Sequence, residues 1–238
     1  MAVVPPPKQN PRISVNDLAL FMVSSDTARL GIIKRNKYPQ KPPIIRYRDA
    51  RPPVVTYLAD IARNVQLLVL AENVLAQRAE DTSQSTLRRD DARQSIEVLH
   101  AVQGMRNQLS GFSFTRAPQN QGRLHISGVS VSAHLDLFVH ASTRGVSQVG
   151  GAILRMTQDD AETEAARIKR RDMGLYVAAV VRLHLERVCK PSNVIANKLC
   201  MSIDLRHGEV FAAPASNTRR ITDIENACVF IAAAWGGI

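Results

Sequence analysis

Apolar residues recur at helical steps over the first half of this chain, and the period changes after Gly111. In ISVNDLALFMVSSDTARLGII, Leu18, Phe21 and Met22 share one face, and Ser14 or Asn16 can cap the start. A long helix is predicted from Val54 to about Gln77. A polar break follows, then a second helix, LRRDDARQSIEVLHAVQGMRNQL, with Ala92, Ile96, Leu99 and Met105 as its buried stripe. Gly111, Pro118 and Gly122 punctuate short extended pieces, GFSFTRA and LHISGVSVS. Residues 124–157 read as two strand-like segments, LHISGVSVSAHLDLFVH and VGGAILRMT, joined by the turn-forming ASTRGVSQ, and a lone acid, Asp136, stands near the end of the first. Gly150 and Gly151, inside the second, mark a bulge or a close backbone approach.

The helical period then returns in DDAETEAARIKRRDMGLYVAAVVRLHLERV, whose acidic start suits a helix N-terminus. Its stripe runs through Ala161, Ala165, Ile168, Asp172, Leu175, Ala179 and Leu183, so the pattern points Asp172 toward the sheet this helix covers. A hairpin, NKLCMSIDL and EVFAAP about the turn RHG, precedes an amphipathic final helix with Ile221, Ile224, Cys228 and Ile231 on one face. These elements predict an α/β (α+β) fold with a central mixed β-sheet flanked by helices.

The order helix, strand, Asp-bearing strand, turn, strand, helix resembles the PD-(D/E)XK nuclease superfamily, in its RecB-like branch. HISGVSVSAHLDLF matches the strand that supplies a metal-binding Asp, AILRMT takes the E-x-K strand, and DMGLY takes the position of the helix that packs across the site. The likeness covers roughly residues 90–212 and extends to SVNDLALFMVSSDTAR as the entry helix. It implies a restriction-endonuclease-like core with a helical N-terminal region. It also implies catalytic-site positions at Asp136, Arg155, Asp172 and Tyr176, and Mg²⁺ or Mn²⁺ as the cofactor of an active member. The organisation expected is a flexible Pro-rich arm at 1–12, an entry helix and basic Pro-rich connector at 13–53, and a nuclease-like α/β domain at 54–238 with a C-terminal helix.

Two departures from the family pattern bear on chemistry. Phosphodiester hydrolysis of this kind holds metal ions against the scissile phosphate through carboxylate oxygens. Asp136 can supply one ligand. Ile153 stands where the second acid belongs and has no lone pair to give. Arg155 replaces the lysine and stays protonated, so it orients rather than exchanges protons. Glu97, one turn from His100 on the preceding helix, can add a metal ligand, and Asp159, Asp160 or Glu162 can supply a migrated carboxylate. Each also reads as an ordinary solvated or helix-start charge.

The charge is +10 overall, with a sequence pI near 10.1. Residues 1–52 carry ten Lys/Arg against three acids, and the rest carry twenty-one against eighteen. A basic N-terminal region on a nearly balanced body suggests a polyanionic partner, nucleic acid above all. Arg46, Arg48 and Arg51 in the connector, and Lys169, Arg170 and Arg171 on the RIKRRD helix, are candidate backbone contacts. Five prolines, Pro39, Pro42, Pro43, Pro52 and Pro53, make that connector extended rather than helical. Aromatic content of 5% argues against a base-stacking platform. Three cysteines without a CxxC pair read as buried free thiols of a reducing compartment. No apolar run is long enough for a membrane span and the start has no secretory h-region, so a cytoplasmic protein is expected. No Walker A loop, dinucleotide fingerprint, HExxH or GxSxG occurs. The leading expectation is a non-cleaving nucleic-acid-binding protein. An active Mg²⁺-dependent DNA nuclease using Asp136 with a relocated carboxylate is one alternative, and a protein-interaction or scaffold module on the same fold is another.

Overall fold

The computed structural model describes residues 6–38, 46–156 and 161–238. Residues 12–14 form a short strand, β1 (Arg12–Ser14), which no period in the sequence announces. Ser14 then caps α1 (Val15–Met22), its hydroxyl accepting the Asp17 N–H at 3.1 Å, while Asn16 lies inside the helix. The run expected as one helix is two. The Ser24 hydroxyl donates back to the Leu20 carbonyl at 2.7 Å, and α2 (Asp26–Lys37) restarts after Ser25. The arm expected to be flexible is fastened where it is described. Lys8 N–H donates to the Lys37 carbonyl at 2.9 Å, and the Trp235 indole donates to the Lys8 carbonyl at 3.0 Å.

The connector also departs from expectation. Residues 46–50 form a turn, and α3 (Arg51–Ala59) opens with Pro52 and Pro53 in its first turn. Prolines fit there because the first N–H groups of a helix have no intrahelical acceptor. Residues 39–45, which hold the other three prolines, lie outside the described residues. The long helix expected to Gln77 is broken between α3 and α4 (Gln66–Glu80), where Arg63 takes a φ of 46°. The Arg63 guanidinium secures the break by donating to the Leu109 and Phe112 carbonyls, both at 2.7 Å. Next come α5 (Thr86–Gly104), capped by Ser85, and the single turn α6 (Arg106–Leu109).

The strands are β2 (Ser113–Arg116), β3 (Leu124–Ile126), β4 (Val129–Ser132), β5 (Leu137–Thr143) and β6 (Val146–Arg155). Helix α7 (Glu164–His184) runs on into a π-helical turn, Leu185–Cys189, and is followed by β7 (Val194–Asp204), β8 (Glu209–Ala212) and α8 (Thr218–Trp235). The segment expected as one strand before Asp136 is therefore the hairpin β3–β4 followed by a loop. Asp136 precedes β5 instead of ending a strand. Much of the supposed turn ASTRGVSQ belongs to the β5–β6 ladder. Only Arg144 and Gly145 turn, both at positive φ, as a two-residue hairpin requires.

Two sheets result, making a mixed α/β fold. The larger has the order β2-β5-β6-β7-β8, antiparallel except for β6 and β7, whose parallel pairing needs the crossover that α7 supplies. The smaller has the order β1-β4-β3, with β1 parallel to β4. Strand β6 is buried on both faces. Ile153 joins a core with α1, α7 and α8, and Ala152 and Leu154 join one with α3, α4 and α5. Helix α7 presents Met173, Gly174, Val177, Ala178 and Val181 to that first core, while Ala161, Ala165 and Ile168 are exposed. The expected stripe is thus rotated, and Asp172 lies half-buried at its flank rather than over the sheet. Gly174 explains the rotation, because a Cβ there would stand 2.2 Å from the Phe211 ring, which only glycine lets so close.

Cys200 and Cys228 are buried free thiols and Cys189 is half-buried, also free; burial pushes the first two up to about 12, so they stay protonated. No helix among the described residues is long and apolar enough to cross a membrane. At Gly150 both expectations hold. The β6–β7 register slips between Val149 and Gly151, and a Cβ on Gly150 would stand 2.0 Å from the Leu199 carbonyl oxygen. Gly150→Ala should therefore cost on the order of 3 kcal/mol in urea denaturation. Gly31→Ala, in α2 with open space around it, should instead stabilise by up to about 1 kcal/mol.

Candidate functional site

The loop that delivers Asp136 is held from both sides. Gln121 accepts the Leu135 N–H at 2.9 Å and donates to the Leu135 carbonyl at 2.8 Å. The buried His184 ring of α7 lies 3.2 Å from the same Gln121 side chain, between Nε2 and Oε1. Asp136 itself donates its N–H to the Ala152 carbonyl at 2.9 Å and accepts the Ala117 N–H at 3.2 Å, extending the edges of the β5–β6 and β2–β5 ladders by one residue.

Its carboxylate is fully engaged. Arg51 Nη1 reaches both oxygens, at 2.6 and 2.7 Å, and the Leu154 N–H donates to Oδ2 at 2.8 Å. Arg51 Nη2 donates to the Leu154 carbonyl at 3.0 Å. The Asp136 side chain is only 9% exposed. The acid joins the first residue of α3 to the middle of the large sheet. Arg51, expected on a nucleic-acid surface, is instead its partner.

The residue set does not fit Mg²⁺ or Mn²⁺. A hard cation needs free carboxylate lone pairs, whereas those of Asp136 accept charge-assisted bonds beside a fixed positive charge. Ile153 is buried at 3% exposure and offers no donor. Arg155 is buried too, rather than facing a phosphate. Among the described residues its guanidinium has no hydrogen-bond partner; burial pushes its pKa down while Asp204 and Glu209 pull it up. Those acids follow from register, since Arg155 pairs with Asp204 and Asp204 with Glu209 across β6, β7 and β8.

The relocated acids do not gather at Asp136. Glu97 pairs with Arg206 at 3.4 Å, and His100, one turn on, pairs with Glu72 of α4 at 2.9 Å. Glu97 and Glu162 line a cleft of about 200 Å³ with Val98, Arg206 and His207. Glu162 is exposed and lies 3.4 Å from Arg167. Asp159 and Asp160 lie outside the described residues. Among the described residues, no group of three or more His, Cys, Asp or Glu side chains could hold a metal ion.

Asp172 and Tyr176 are not placed across Asp136. They open onto a groove between α1, α7 and α8, whose two lobes of about 680 and 660 Å³ share Met22, Tyr176 and Asp223. The Arg220 guanidinium lies 5.9 Å from the Tyr176 ring centroid, and burial, then Asp223, pushes the phenol pKa up. Asp172 lies 3.5 Å from its neighbour Arg171. Of the other basic candidates, Arg46 is paired with Asp90 at 2.7 Å. Arg170 is buried at 4% exposure and donates to the Ala161 carbonyl. Arg48 and Lys169 are exposed.

The staple makes Asp136→Ala strongly unfavourable, because Arg51 and the Leu154 N–H lose their acceptor. A loss of about 3 kcal/mol in urea denaturation is expected. Arg51→Met should cost at least as much, because it strands a carboxylate that is only 9% exposed, and the double variant should cost less than the sum of the two. Additive losses would show that the pair does not act as a unit.

His184 gives a pH prediction. Burial, with His134 adding to it, lowers its pKa to about 4, against about 6.5 for an ordinary imidazole. The unfolded chain then binds more protons than the folded one, so stability declines as pH falls from 6.5 toward 4. Melting temperature measured across that window should drop in the native protein and drop less in His184→Gln. The sequence matches no family model and no curated protein.

Proposed function

We propose that this chain is a nucleic-acid-binding protein of PD-(D/E)XK-like build that does not cut through Asp136. The observation that carries the reading is the engagement of Asp136 by Arg51 and the Leu154 amide, in a protein whose charge is +10. The order β2, β5, β6, α7, β7 supports the family likeness. The buried Ile153 and Arg155 support the loss of metal-assisted cleavage. The surplus of cations supports a polyanionic partner.

The expected behaviour is binding to short DNA or RNA duplexes at low salt, with affinity falling steeply as salt rises. Incubation with Mg²⁺ or Mn²⁺ should leave linear and single-stranded DNA intact. Cleavage by the native protein that disappears in Asp136→Ala would overturn the non-cleaving reading. Binding that is absent, or indifferent to salt, would overturn the nucleic-acid reading.

One observation favours a second reading, protein docking. Leu30 and Phe230 are 48% and 49% exposed in the groove they line with Phe21 and Met22. A chain that binds no nucleic acid at low salt, and loses a co-purifying protein when Leu30→Ser and Phe230→Ser are combined, selects that reading.

A further inference from the structure

Many cations of this protein are held by acids of the same chain. Arg29, Arg35, Arg46, Arg51 and Arg78 each hold an aspartate, namely Asp26, Asp17, Asp90, Asp136 and Asp49. Lys8, Arg12 and Arg123 hold none among the described residues, and they converge on one place, the open face of the small sheet.

Register puts them there. In β1, β4 and β3, the side chains of Ile13, Val131 and Leu124 point inward and are buried. Alternation turns their neighbours outward. Arg12 pairs with Ser130, and Ser130 with His125, so these three form a row straight across the face. Neighbouring side chains in such a row stand about 5 Å apart. The next outward row holds Ser14 and Ser132, with Arg123 just before β3. Lys8 is half-buried beside them. Burial first, then Arg12, and more weakly Arg123, push its pKa down, while Asp17 pulls it up. Asp17 is already occupied by Arg35 at 2.5 Å and by the Ser14 hydroxyl at 3.0 Å. The Ser130 hydroxyl is enclosed and has no hydrogen-bond partner among the described residues.

Three cations without an acid partner, gathered on one face, are a donor set for oxyanions, since like charges in proximity repel until an anion arrives. None of the exposed large apolar residues belongs to β1, β3 or β4. The strands of this face therefore offer no large apolar side chain to insert into a lipid layer, and the His125 ring is their one aromatic group.

We propose that the open face of the β1-β4-β3 sheet is a phosphate-binding surface for the nucleic-acid backbone, formed by Lys8, Arg12 and Arg123. The assignment rests on the nucleic-acid reading above and locates it. Because its cations meet phosphates rather than base edges, it grips the backbone independently of sequence.

The test compares two charge-matched variants of the full chain, Lys8→Gln/Arg12→Gln/Arg123→Gln and Lys169→Gln/Arg219→Gln/Arg220→Gln. Each is titrated with a short DNA duplex and its RNA counterpart over a range of salt. Removing one phosphate-binding cation lowers the slope of log affinity against log salt by about 0.9 on duplex DNA. The slope of the sheet variant should thus fall by up to about 3, and that of the groove variant by much less. An unchanged slope in the sheet variant, with normal binding by the native chain, would overturn the surface and leave the nucleic-acid reading standing. Absence of binding by the native chain would overturn both. Binding of the native chain to phosphatidylserine vesicles but not to duplexes would transfer the surface to membranes and overturn the assignment. Should the triple variant fail to fold, Arg123→Gln alone, at an exposed position outside the strands, must still lower the slope by about 0.9, and no change there would overturn the proposal.

Discussion

Strand β6 has to be buried on both faces and bonded on both edges, and the large sheet is organised around meeting that requirement. Its inward residues alternate between two cores, one under α7 and α8 and one under α3, α4 and α5. Its edges need an antiparallel partner on one side and a parallel partner on the other, and the parallel one is reachable only through a long crossover. Where β7 comes too close, Gly150 gives way. Where β5 stops pairing, Asp136 takes the Leu154 amide and Arg51 takes the Leu154 carbonyl, so the strand's backbone stays satisfied to its end. Its last residue, Arg155, is left inside the protein with Asp204 and Glu209 nearby.

Local chemistry made some of this readable in the amino-acid order. Ser14 is a good cap wherever it precedes an apolar helix, and the hairpin of β7 and β8 announces itself by a short glycine turn. The glycine pair in β6 signalled a close approach because strands tolerate glycine only for such reasons. What stayed hidden depends on partners far along the chain. The three residues of β1 have no period of their own and become a strand only against β4. Pro52 and Pro53 look like helix breakers until they fall in a first turn, where their missing N–H groups cost nothing. Helical spacing puts Ile168 on the inner stripe of α7, whereas the close approach of Phe211 to Gly174 turns a neighbouring face inward.

The candidate site divides along the same line. Asp136 was legible as a lone acid in an apolar setting, but its chemistry depends on which cation reaches it. Arg51 sits in a basic run with Arg46 and Arg48, and nothing in the order of residues separates the one that staples from the one that stays in solvent. Arg155 shows the converse. Keeping a positive charge at a motif position says little when the strand carrying it is buried on both faces, since a cation there meets carboxylates of the same protein first. Asp172 and Tyr176 lie on the expected helix, yet the rotation of α7 sends them to a groove instead of to Asp136.

A carboxylate cannot serve two masters at this geometry. The same oxygens that would hold a divalent cation here accept bonds from a guanidinium and a backbone amide, and withdrawing them would leave Arg51 and Leu154 unmatched at the centre of the sheet. Any metal competing for Asp136 must first displace an interaction that holds α3 to β6, so binding and folding oppose each other there. On the small sheet the balance runs the other way. Lys8, Arg12 and Arg123 repel one another across a face with no acid to spare, and an incoming phosphate relieves that repulsion instead of breaking a bond. Charge that the fold uses internally is closed to a ligand, and charge that it leaves uncompensated is where a polyanion gains most.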